Sequence, residues 1–81
     1  MVRMDGAETR KARIAEVARL VMQQINQNKE VGYTSLKPTV AKIMVETGLT
    51  KLKVMEYLQL KSEEGIFEIN EIDDRISLAR V

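Results

Sequence analysis

The fold is decided by residues 43–58, which read IMVETGLTKLKVMEYL. Gly48 suits the left-handed conformation that ends a helix, and Thr50 suits the N-cap of a following helix. Apolar residues recur at three- and four-residue spacing on both sides of this pair, as on the buried face of a helix. The segment therefore predicts two helices joined by a tight turn. The helix before the turn runs through Val40, Ala41, Ile43, Met44 and Val45, and the helix after it carries Val54, Tyr57 and Leu58 at helical spacing.

A longer helix is predicted upstream, over residues 8–27. Leu20 and Met22 widen its apolar stripe, either because this helix is deeply buried or because a partner subunit packs on it. The stripe itself consists of Ile14, Val17, Ala18, Val21 and Ile25.

Extended segments are predicted before and after this helix pair. Residues 31–36 (VGYTSL) are too few for a helix and favour a short strand, and Pro38 suits the first position of the second helix, after a boundary at residues 35–37. The third helix is expected to end before Gly65. Beyond it, two runs alternate apolar and polar residues around a polar loop, which predicts a β-hairpin with Phe67, Ile69, Ile76 and Leu78 on its buried face.

Length and composition predict one small domain over residues 1–81, with residues 1–7 flexible. A core of this size gives only about 3–5 kcal/mol of net stability, so a homodimer is an expected supplement. The chain has no cysteine and no histidine, which excludes disulfides, thiolate or imidazole metal sites and nucleophiles that need a histidine base. We also find no paired carboxylates, phosphate loop or metal spacing, so we expect no enzyme, no cofactor and no metal.

Charge is distributed unevenly along the chain. Residues 1–61 hold eleven Lys/Arg against six Asp/Glu, and residues 62–81 hold two against six, so a net charge of +5 is followed by one of −4. No run approaches the length of a membrane span and the N-terminus lacks the apolar core of a signal peptide, so a cytoplasmic protein is expected.

The helix pair resembles the helix-turn-helix of winged-helix DNA-binding domains. The resemblance covers residues 38–79 and implies an α+β winged helix, in which a three-helix bundle carries a C-terminal β-hairpin wing in the order α-β-α-α-β-β. Lys61 departs from it, because the family has a core leucine there and the helix is expected to end or rotate at this point. The residues that carry the resemblance are Gly48, Leu49, Thr50, Val54, Gly65, Ile66 and Phe67.

The resemblance implies that the third helix, residues 50–61, enters the major groove of duplex DNA. In such a complex Lys51 and Lys53 contact phosphates or guanine edges, and Thr50 contacts a phosphate. Leu52 contacts a thymine methyl group, and Glu56 accepts a hydrogen bond from a cytosine amino group.

Further phosphate contacts are expected around this helix. At the start of the second helix, the residues expected to contact phosphate are Thr34, Ser35, Lys37 and Thr39. On the first helix they are Arg10, Lys11 and Arg13, with Arg3 nearby. The alternatives are that the hydroxyls are plain N-caps and that the cations are solvated surface charges. The wing is expected to contribute little, because Arg75 is the only cation beside Glu71, Asp73 and Asp74.

These features favour a double-stranded DNA-binding protein, most simply a transcriptional regulator that binds a palindromic or repeated site as a homodimer. A replication or partition accessory is a close alternative. A protein-interaction winged helix is the second class, with an apolar patch of Leu52, Met55 and Leu60 and a partner at the acidic hairpin. RNA binding is the third, disfavoured because the two tyrosines and the phenylalanine are expected in the core.

Overall fold

A computed structural model describes residues 6–79 of the protein, and it has the predicted α+β organisation. Arg3 and most of the stretch expected to be flexible lie outside the described residues, although the first helix already includes Gly6. The elements follow in the order α1 (Gly6–Gln27), β1 (Tyr33–Ser35), α2 (Leu36–Thr47), α3 (Lys51–Glu63), β2 (Phe67–Asn70) and β3 (Arg75–Leu78).

The three strands form one antiparallel sheet in the order β1-β3-β2. The predicted hairpin is confirmed as β2 and β3, and β1 completes the sheet by pairing with β3 on the other side. Thr34 lies opposite Ile76, and Ile76 lies opposite Ile69. One face of the sheet thus packs on the helices, while the opposite face is open at Tyr33 and Arg75.

A single apolar core joins the three helices to the inner face of the sheet. Leu20 belongs to this core and Met22 is exposed, so only one of the two flanking residues of the α1 stripe is buried. The least exposed side chains come from all three helices and two strands, and they are Val17, Val21, Ile43, Val54, Leu58, Phe67 and Ile76.

The turn between α2 and α3 has the predicted geometry. Gly48 adopts a φ of 75° and donates its N–H to the carbonyl of Met44. This is a left-handed C-cap, a conformation that favours glycine because residues with a side chain rarely adopt it. Thr50 is extended, and its hydroxyl oxygen accepts the backbone N–H of Lys53 at 3.2 Å. Leu49 between them packs against the core. The turn therefore anchors the start of α3 by one cap and one apolar contact.

The start of α2 differs from the sequence prediction. The helix begins at Leu36 rather than at Pro38, and Ser35 precedes it without a side-chain capping bond. Asp74 of the β2–β3 loop supplies the cap, because its carbonyl accepts the N–H of Leu36 at 2.9 Å and its carboxylate accepts the N–H of Lys37 at 2.8 Å. These bonds offset the preference of a residue before proline for extended backbone.

The prediction that α3 ends before Gly65 is confirmed, whereas the expectation that it ends or rotates at Lys61 is wrong. The helix continues without a break past Lys61 to Glu63, and the ammonium of Lys61 lies 3.5 Å from the carboxylate of Glu64. Leu60 packs against the core next to it. A lysine is accommodated at this position because its stem is largely covered while its charge reaches a carboxylate at the helix end.

Asp74 should contribute measurably to stability, because it satisfies two N–H groups of the first turn of α2. We expect Asp74→Ala to lower the free energy of unfolding by about 2 kcal/mol, because the N–H of Lys37 loses its carboxylate acceptor and because alanine tolerates a φ of 55° less well than aspartate does. Asp74→Gly removes the cap without the backbone cost and should lose about 1 kcal/mol. Urea unfolding measures both, with Glu71→Ala as the control. Equal stability of Asp74→Ala and the unmodified protein would contradict the assignment.

Candidate nucleic-acid interface

The N-terminal part of α1 lies beside the turn and the start of α3. Between them is a shallow cleft of about 560 Å³, into which three predicted contact residues bring positive charge: Arg10 and Arg13 from α1 and Lys53 from α3. Thr50 lines the same cleft. Residues 10 and 53 are far apart in sequence, and packing of α1 on α3 brings them to one surface. Lys11 is exposed on α1 but does not line the cleft.

The arginines of the cleft are available for an anion. Neither Arg10 nor Arg13 forms an ion pair with a carboxylate of residues 9–79. Glu16 lies one turn from Arg13, but it pairs with Arg19 at 2.9 Å, and this hydrogen bond raises the pKa of Arg19. Glu16 and Glu46 border a neighbouring hollow that shares Arg13 with the cleft. The positive surface therefore ends on that side.

The exposed face of α3 combines charge with an apolar residue. Lys51, Leu52, Lys53 and Glu56 are all exposed, as contact with DNA requires, and Leu52 is 80% exposed. The ammonium of Lys53 lies 3.2 Å from the carboxylate of Glu56. Glu56 thus neutralises part of the charge that Lys53 brings to the cleft.

The start of α2 does not form the expected phosphate seat. Thr34 and Thr39 are buried, at 8% and 3% exposure, and their hydroxyl oxygens lie 3.5 Å apart. Asn28 donates its amide to the Thr34 hydroxyl at 3.3 Å. Ser35 and Lys37 are exposed, but the N–H groups where a phosphate was expected are occupied, that of Lys37 by the carboxylate of Asp74 and that of Leu36 by its backbone carbonyl. We therefore leave the two threonines and this helix end out of the interface.

Arg75 does not extend from the hairpin loop toward a ligand. It lies on the open face of the sheet with its guanidinium 4.4 Å from the centre of the Tyr33 ring, a cation–π contact. Tyr33 is half-buried there, so the expectation of three core aromatic residues holds only for Tyr57 and Phe67. The loop itself is acidic and is stiffened by two hydrogen bonds between Asn70 and Asp73.

Sequence reasoning missed Asp74 as a structural residue. The only local signal is an aspartate in a polar loop, which is common in turns. Its partners are 37 and 38 positions earlier, and nothing near residue 36 in the sequence indicates that a carboxylate from the hairpin caps this helix.

Fold and surface together define a small α+β protein in which α1, the α2–α3 turn and the start of α3 border a basic cleft. No protein-family model matches the chain, and neither curated protein sequences nor solved structures gave a significant match. Within residues 6–79, no helix has the length and apolarity needed to cross a bilayer. The same residues contain no cluster of acidic side chains arranged to hold a metal ion.

The cap at Thr50 is expected to hold the start of α3 in place beside the cleft. Thr50→Ala should lower the free energy of unfolding by about 1 kcal/mol, because the N–H of Lys53 loses its acceptor. Thr50→Ser keeps a hydroxyl and should retain most of that stability. Thermal or urea unfolding of the two variants measures this difference. An equal loss of stability in both would show that the methyl group of Thr50, and not its capping hydroxyl, stabilises the fold.

Proposed function

We propose that the protein is a winged-helix protein that binds double-stranded DNA through the N-terminal half of α3 and the cleft beside it. The observation that carries the proposal is the cluster of Arg10, Arg13 and Lys53, which come from two helices and lie on one surface. A cluster of this kind suits the phosphate backbone, which dominates the affinity of proteins for DNA.

The dimensions of α3 suit the major groove. Its 13 residues span about 20 Å, and a helix of ordinary diameter fits the groove, which is about 12 Å wide. Lys51 and Leu52 lie at the exposed start of the helix, where base edges are within reach in helix-turn-helix complexes. The hydroxyl oxygen of Thr50 accepts a bond from Lys53, which leaves its O–H to donate to a phosphate.

Phosphates on either side of the groove then meet different surfaces. On the α1 side, Arg10 and Arg13 supply positive charge. On the hairpin side, Asp74 caps α2 and Glu71 lies near α3, so phosphate is disfavoured there. The proposed complex is therefore asymmetric, with the backbone held by α1 and the turn, and with the hairpin turned away.

A role as a transcriptional regulator fits a homodimer best. One short helix reads few base pairs, and a two-fold dimer doubles the contacts when its recognition helices are about 34–36 Å apart. Met22 is exposed on α1 beside a shallow hollow lined by Ala15 and Ala18, which is available for such a contact.

The proposal is tested by titrating duplex DNA at several salt concentrations. Each phosphate contact should add about −0.9 to the slope of log affinity against log salt. Arg13→Ala should therefore reduce the slope by about 0.9, and the combined replacement of Arg10, Arg13 and Lys53 by alanine by about 2.7. Lys29→Ala, in the turn that follows the other end of α1, is the matched control and should leave the slope unchanged. A flat salt response of the unmodified protein would exclude DNA binding of this kind.

Glu56 is expected to weaken binding, because it pairs with Lys53 and lies on the DNA-facing side of α3. Glu56→Gln should raise the affinity for duplex DNA at low salt by about threefold to tenfold. Glu63→Gln makes the same change of charge at the far end of the helix and should have a smaller effect. Fluorescence anisotropy of a labelled duplex measures both, and an equal gain would mean that only net charge matters.

A further inference from the structure

A second recess lies between α3 and the β2–β3 loop. It measures about 410 Å³ and is lined by Leu52, Lys53, Met55, Glu56, Gln59 and Glu71. Leu52 and Met55 form its apolar side, and Glu71 approaches from the hairpin. We call this recess the hairpin groove.

Two large apolar side chains are exposed at the hairpin groove and on the loop beside it. Leu52 is 80% exposed, and Ile72, which follows Glu71 at the tip of the loop, is 96% exposed. Leu60, which the sequence placed in such a patch, packs against the core instead and does not contribute. Exposed apolar groups rimmed by polar residues are typical of surfaces that bind another protein.

The charges at the hairpin groove have the opposite sign to those of the basic cleft. Glu56, Glu71 and the neighbouring Asp73 are exposed carboxylates, and the one cation that lines the groove, Lys53, is paired with Glu56 at 3.2 Å. A ligand that binds here must bring positive charge together with apolar surface. Nucleic acid does not meet this requirement, because its backbone is negative.

We propose that the hairpin groove binds a lysine- or arginine-rich, amphipathic helical segment of a protein partner. Apolar side chains of the segment pack on Leu52, Met55 and Ile72, and its basic residues lie over Glu56 and Glu71. Helices that place one apolar face in a groove are a recurrent mode of peptide recognition. A consequence that rests on the proposed DNA binding is competition, because Leu52 and Glu56 belong to both surfaces.

The test uses a fluorescein-labelled synthetic helix with leucines at positions i, i+3, i+4 and i+7 and lysines on the flanks. Ile72→Ser and Leu52→Ser should each weaken its binding by about tenfold, as expected for an apolar anchor. Val45→Ser is the matched control for Leu52→Ser, because Val45 is 85% exposed on α2 and, unlike Leu52, does not line the groove. A peptide with glutamates in place of the lysines should not bind.

Three results would overturn the proposal. One is equal affinity of all variants for the lysine peptide, and another is binding of the glutamate peptide. The third is a dimer in sedimentation that Ile72→Ser dissociates, because the occupant is then a second copy of the chain.

The peptide assay contains no DNA, so it stands or fails independently of the proposed function. With a labelled duplex, Arg10→Ala/Arg13→Ala should weaken DNA binding and keep peptide binding, whereas Ile72→Ser should weaken peptide binding and keep DNA binding. In the unmodified protein, added peptide should displace the duplex, and a ternary complex would contradict the shared surface.

Discussion

The antiparallel pairing of β1 with β3 places the β2–β3 loop against the start of α2, and the arrangement of the surfaces depends on that contact. Ser35 lies opposite Arg75, so the residue after β1 and the residue before β3 meet at the same end of the ladder. Leu36 and its neighbour then donate their N–H groups to Asp74. Strand, hairpin loop and second helix consequently form one unit, and the loop has little freedom to move away from the helix.

This contact also determines where an anion can bind. An exposed helix N-terminus attracts phosphate through its N–H groups and its dipole. At the start of α2 the carboxylate of Asp74 takes the place that a phosphate would occupy. It also adds negative charge to a region that Glu71 and Asp73 already make acidic. The start of α3 differs, because its cap is the uncharged hydroxyl of Thr50 and its neighbours are Arg10 and Arg13. The two helix ends are thus distinguished by the charge of their caps.

Features that depend on neighbours in sequence could be predicted, and features that depend on distant pairing could not. Gly48 and Thr50 act through bonds to residues three or four positions away, so the turn is evident from the sequence. The burial of Thr34 follows from its position opposite Ile76, and the orientation of Arg75 follows from the position of Tyr33 on the neighbouring strand. Neither relation leaves a local pattern. The basic cleft could be predicted only in part. Its cationic residues were predicted one by one, but the packing of α1 on α3 is what brings them together.

The basic cleft and the hairpin groove overlap along α3 and share Lys53, with Thr50 and Tyr57 lining the cleft and Leu52, Met55, Glu56 and Gln59 lining the groove. Charges more than about 8 Å apart at a surface are largely screened at physiological salt. α3 is about 20 Å long, so a phosphate bound at its start, as in the proposed complex, would interact with Arg10, Arg13 and Lys53 and only weakly with carboxylates near the far end. Of the two glutamates within α3, Glu63 lies ten residues from Lys53, about 15 Å along the axis. Glu56 lies within one turn of Lys53 and pairs with it, so the charge of this residue acts on both the basic cleft and the hairpin groove.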